Sequence, residues 1–215
     1  MRRWLIWLGA LVGLAMAGGA SAAPCCGPIT PEGQRLAHVL DGTDVEHLWL
    51  AGNRVDWQTG TPIAPSSAST THCSAFAAAI AGRLGIYVLR PPQHPQTLLA
   101  NAQMGWLREA GGGSGWRSLP DPTAAQAAAN RGELVVEAFE NPNPHRPGHI
   151  AIVRPSEQSA DALERSGPRE TQAGATNALD ISTARGFAHH PGAWVAGGQG
   201  GIRYFAHTIN WSALP

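Results

Sequence analysis

The chain has 215 residues, with 15 basic against 15 acidic side chains. That balance argues against nucleic acid or an anionic membrane surface as the main partner, since both call for a basic excess. The 26 glycines and 17 prolines point to a loop-rich protein, while eight tryptophans and the aliphatic residues supply a core and exclude a disordered chain.

The first residues read as an address rather than a fold. Arg2-Arg3, an apolar run from Trp4 to Ala17, and the small residues Ala20-Ser21-Ala22 have the order of a secretory signal peptide. The run is too short to span a bilayer. Residues 1–22 are therefore expected to be removed. Residues 23–215 then form one domain, exported to the periplasm or the medium, with no membrane attachment after cleavage.

A helix is expected from "TPEGQRLAHVL". Thr30 caps it, Pro31 and Glu32 fill the first turn, and Asp41-Gly42 end it. Residues 45–62 are ambiguous, with Gly52-Asn53 as a turn, and 64–70 form a polar loop. In "THCSAFAAAIAGRLGI" (71–86), Ser69, Thr70 and Thr71 are competent caps. Cys73, Phe76, Ala77, Ile80 and Leu84 fall on one helical face, and Gly85-Ile86 closes the helix. A further helix is expected over 96–109, ending in the glycines at 111–113. Another starts at Asp121-Pro122 and ends near Gly132. The period then changes. Residues 133–139, 149–153 and 201–207 read as strands, "RETQAG" as a short one, and 156–200 mostly as surface loop. Helices followed by closely joined, antiparallel strands give an α+β class.

Three cysteines leave one over. Cys25 and Cys26 are adjacent and pair with each other, with another chain, or one of them with Cys73. A free Cys73 at the start of a helix has a chemical use. The exposed N–H groups and dipole of a helix N-terminus favour a thiolate, and the same groups can hold an oxyanion. Such a nucleophile needs a base, and His149, opening a strand in "PGHIAIV", is the best placed histidine. A third polar group would fix the ring. Gln172 in "RETQAGATN" is favoured, and Asn177 is an alternative. The nine histidines include His145 and His149, four apart, and the pair His189-His190, but no HExxH or CxxC motif appears. His72 is expected to be exposed or capping. Trp49, Trp57, Trp106 and Trp116 are expected in the core or its rim, with Asp56-Trp57 a weaker candidate for lining a cleft.

The order "HCSAF", "RGELVVEAF", "PGHIAIV" resembles the NlpC-like and CHAP-type cysteine peptidases of bacterial cell walls. Gly132-Glu133-Leu134-Val135 stands where that superfamily has a Gly-Asp-Leu-Val-like strand. Gly148-His149-Ile150-Ala151 stands where it has the strand carrying the base. The resemblance covers residues 70–177 and implies a papain-like fold and cleavage of amide bonds in peptidoglycan. The proline-rich loop "NPNPHRP" and the setting of Gln172 depart from the family pattern. Neither a metal nor an organic cofactor is implied. The rival readings are an inactive exported binding protein of the same fold and a zinc-dependent hydrolase. A regulatory or inhibitor protein is a further partner that the sequence does not name.

Overall fold

The computed structural model describes residues 24–67, 69–197 and 200–214, so the expected signal peptide lies outside the described residues. Six α-helices, one 3-10 turn (Gly111–Ser114) and eight strands follow one another along them. The helices are α1 (Pro31–Asp41), α2 (Cys73–Arg83), α3 (Leu99–Glu109), α4 (Pro122–Asn130), α5 (Ala160–Ser166) and α6 (Thr183–Gly186). The strands are β1 (Asn53–Val55), β2 (Pro62–Pro65), β3 (Arg117–Leu119), β4 (Leu134–Phe139), β5 (His149–Val153), β6 (Arg169–Gln172), β7 (Ala178–Ser182) and β8 (Arg203–His207). Strands β1 and β2 form a hairpin. The other six make one sheet in the order β3-β8-β4-β5-β6-β7, antiparallel throughout. The α+β expectation therefore holds. Among the described residues no helix is long and apolar enough to cross a membrane.

Strand alternation divides the core into two layers. Leu134, Val136, Ala138, Ile150, Ile152 and Phe205 face α2, while Val135, Ala151, Val153, Tyr204 and Ala206 face α4 and Phe187. Helix α2 is buried nearly all round because it lies between the sheet and the 45–60 segment. Its alanines let the backbone come close to the strands. Phe76, wholly buried edge-on against Trp49, contributes on the order of 2–3 kcal/mol. Trp49 is in turn held by the backbone of Gly60 and donates its indole N–H to Trp57 O. A Cβ on Gly60 would fall 2.4 Å from the Trp49 ring, so that contact requires glycine.

The caps on α1 and α4 are those expected: Thr30 Oγ1 accepts from Gly33 N, and Asp121 Oδ1 from Ala124 N. The end of α2 is also as expected. Gly85 has φ +72°, Ile86 N–H returns to Ala81 O, and Gly85 N–H to Gly82 O. Its start differs. The residue before the first turn is His72, which makes no side-chain cap, and Ser69, Thr70 and Thr71 lie upstream. Helix α3 begins at Leu99 rather than 96, after Leu98 in the left-handed region. The 156–200 stretch is loop over more than half its length; β6 lies in the short strand expected at "RETQAG", and α5, β7 and α6 are further elements within it.

Asn130, wholly buried at the end of α4, ties three segments together. Its amide nitrogen donates to Gly27 O and Ser156 O, and its oxygen accepts from Ser156 N and Gln126 Nε2. Asn130→Ala is expected to lower the unfolding free energy by about 2–4 kcal/mol, because it strands buried partners as well as removing bonds. Urea unfolding measures this; a loss under about 0.5 kcal/mol would assign the clamp no energetic role.

Candidate active site

Cys25 and Cys26 are bonded to each other, and Cys73 is free. The alternative in which Cys73 is bridged is thereby removed. Cys73 is the first residue of α2 and is 5% exposed. Burial raises its thiol pKa; the backbone N–H groups of Ile150, Ser74 and Cys73 itself oppose this by favouring the thiolate. The Ile150 N–H lies where β5 and β6 part, since their ladder ends at the pair Ile152 and Thr171. The sulfur thus sits at the fork between two strands, next to the residue that follows His149.

His149 is placed by its loop. Gly148 must be glycine, because a Cβ there would fall 2.0 Å from Phe139 O and 2.4 Å from Asn101 Oδ1. Asn101 on α3 holds both ends of the 140–148 loop, accepting from Asn141 N and donating to Arg146 O. The His149 ring then stacks on His190 with centroids 5.1 Å apart and packs edge-on against Phe187 at 4.6 Å.

Gln172 meets this ring: His149 Nε2 and Gln172 Oε1 are 2.6 Å apart. The amide's orientation is fixed by its nitrogen, which donates to Thr176 O at 2.9 Å. Gln172 therefore offers only its oxygen, so Nε2 carries the proton and Nδ1 keeps the basic lone pair. Burial, then the charge of His190, pushes His149 down to about 3, while the Gln172 bond pulls the other way. The ring is neutral at physiological pH. Asn177 takes no part in orienting it. Its nitrogen donates to Val45 O and Leu48 O and its oxygen accepts from Gly174 N, which clamps the turn after β6 to the 45–48 segment.

The site departs from the sequence expectation first in how the two reacting groups lie. His149 shares its face of β5 with Ala151 and Val153, whereas Cys73 packs on the face of Ile150 and Ile152. Sulfur and imidazole flank the same fork from opposite sides of the sheet. Among the described residues no hydrogen bond joins them. His72 is also not exposed; it is 2% accessible, and its Nε2 lies 2.8 Å from Asn53 O.

A cleft of about 250 Å³ opens beside His149 and Gln172. A larger hollow, about 570 Å³ against Asp121, Leu163 and Trp194, includes neither Cys73 nor His149. The expected cleft wall Asp56-Trp57 contributes only Trp57, and to a different hollow beside Arg83 and Arg90. Phe187, His190 and Gly186 were not singled out as site residues by sequence. The only signal was the His189-His190 pair, which reads equally as a metal motif. Among the described residues no three His, Cys, Asp or Glu side chains gather as metal ligands, and His145 is exposed in its loop.

No protein-family model matches the chain, and no curated protein sequence matches it.

Proposed function

We propose that the protein is an exported cysteine hydrolase of amide bonds, similar to the NlpC-like and CHAP-type cell-wall peptidases, acting on peptidoglycan. The observation that carries this is the Gln172–His149 pair at a strand fork whose other side holds a free thiol at a helix start. Gln172 fixes the tautomer that leaves Nδ1 able to accept a proton.

In this reading His149 Nδ1 takes the Cys73 proton as the sulfur attacks the carbonyl carbon. The Cys73 backbone N–H helps to hold the oxyanion. The C–N bond then breaks, and the imidazolium returns the proton to the leaving amine. Water, deprotonated by His149, attacks the thioester; a carboxylic acid leaves and the thiol is restored. Burial disfavours charge on both partners, so the resting state is thiol and neutral imidazole, and proton transfer accompanies attack. The step needs Nδ1 and Sγ within hydrogen-bond reach, so substrate binding must bring the ring and the sulfur together across the fork.

The separation of the two groups across β5 favours one second reading, an exported binding protein of this fold. Digestion of purified peptidoglycan, with mass spectrometry of the soluble products, separates the two. The hydrolase is expected to release fragments whose masses name the cleaved bond. Retention on sacculi with no fragment released would select the binding protein.

A further inference from the structure

The cleft beside His149 and Gln172 carries basic and hydroxyl side chains. Its lining includes Ser69, Thr71, Thr176, Arg185, His189 and His190, and none of its described lining residues is Asp or Glu. Some arginines are matched to acids, as Arg117 is to Glu133, Arg154 to Asp41 and Arg169 to Asp180. Arg185 is exposed, and its guanidinium makes no hydrogen bond or ion pair among the described residues. Its backbone is nonetheless held in place. It precedes Gly186, which packs so closely on β6 that a Cβ there would fall 1.7 Å from Glu170 Oε1 and 3.0 Å from Gln172 Oε1. The arginine is therefore anchored to the strand that orients His149, yet its donors are free.

We propose that this cleft is a carboxylate-binding subsite, in which Arg185, with His189 beside it, receives an acidic group of the substrate. A guanidinium presents paired donors that match the two oxygens of a carboxylate, a match that lysine cannot reproduce. In a cleft without competing acids that pairing is not offset by repulsion. The subsite lies against the Gln172–His149 pair, so a bound carboxylate fixes which part of the substrate lies next to the imidazole. For turnover this rests on the hydrolase reading; for binding it does not.

The test uses a synthetic peptidoglycan stem tetrapeptide with free carboxylates and its fully amidated counterpart. Arg185→Ala is expected to lower kcat/KM for the acidic peptide at least about tenfold, through KM, with kcat changed less than about threefold. Arg185→Lys should fall between, and the amidated peptide should not distinguish the three proteins. Equal loss on both peptides, or none, overturns the assignment. Calorimetric titration of the same peptides into the full chain carrying Cys73→Ala reads the subsite without turnover. The acidic peptide should bind at least about tenfold tighter, and Arg185→Ala should erase that preference. Equal affinities overturn the subsite. A wild-type protein that cleaves neither peptide while keeping the binding preference strikes the hydrolase reading alone.

Discussion

Replacing Cys73 with alanine is expected to reduce fragment release from peptidoglycan by at least about a thousandfold, with the fold unchanged. Alanine removes one sulfur atom from a helix face already built of alanines, so packing around Ala77 and Ile150 is little disturbed. What is lost is the nucleophile. Cys73→Ser should fare little better, because a hydroxyl in the same buried place is much harder to deprotonate than a thiol. His149→Ala is expected to cost a similar factor. Gln172→Ala should cost less, about 10- to 100-fold, since it frees the tautomer and the ring orientation without removing the base. That ordering separates a catalytic role from a packing role, because a merely structural Gln172 would alter stability and leave the rates together. Release assayed at matched concentrations, with circular dichroism as the control for folding, decides the matter. Wild-type rates in Cys73→Ala would remove the sulfur from the chemistry.

What sequence made legible is what local chemistry determines. The caps at Thr30 and Asp121 and the glycine stop at Gly85 are short-range signals, and the helices they bound are present. The strand at 149–153 is continuous and β-branched because both of its faces are buried. The same two-sided burial hid which way His149 points. An apolar run without alternation carries no marker of face, so the ring's position opposite α2 followed only from the packing of Phe187 and His190. The region 156–200 reads mostly as loop because α5, β7 and α6 are short; Arg169, Thr171 and Asp180 find cross-strand partners that the linear pattern does not reveal. His72 was misjudged for a similar reason: its partner, Asn53 O, lies 19 residues upstream. Gln172 was within reach because it sits in the first plausible strand after His149. Asn177, five residues on, is equally polar, and only the fold assigns it to the 45–48 segment.

Glu137, within the strand expected over 133–139, leads to the second large effect. Glu137→Gln is expected to change how stability depends on pH, gaining about 3 kcal/mol relative to wild type between pH 5 and pH 8. Glu137 and Glu170 are both wholly buried on the face of the sheet that carries His149, and their carboxyls bond to each other. Thr183 Oγ1 donates to Glu137 Oε2 at 2.8 Å. The other Glu137 oxygen and both Glu170 oxygens find no further donor in the described residues. Two such groups cannot both ionise, so the pair keeps a proton. Burial lifts Glu137 to about 7, and burial together with the Glu137 charge lifts Glu170 well above the carboxylate range. The native state then binds more protons than the unfolded chain above the ordinary value of 4.5. Stability from the pair is complete below 4.5 and is lost as pH rises through 7. His149 works in the opposite direction. Its pKa is depressed to about 3, so its contribution is intact above 6.5 and fades as pH falls. The glutamine at 137 still accepts from Thr183 and donates to Glu170, but it does not ionise. Thermal unfolding of wild type and variant across pH 5–8 measures the difference, which cancels the shared histidine contribution. Two curves running parallel over that range would mean that the acids hold no shared proton, and the pair would lose its part in the stability of the sheet.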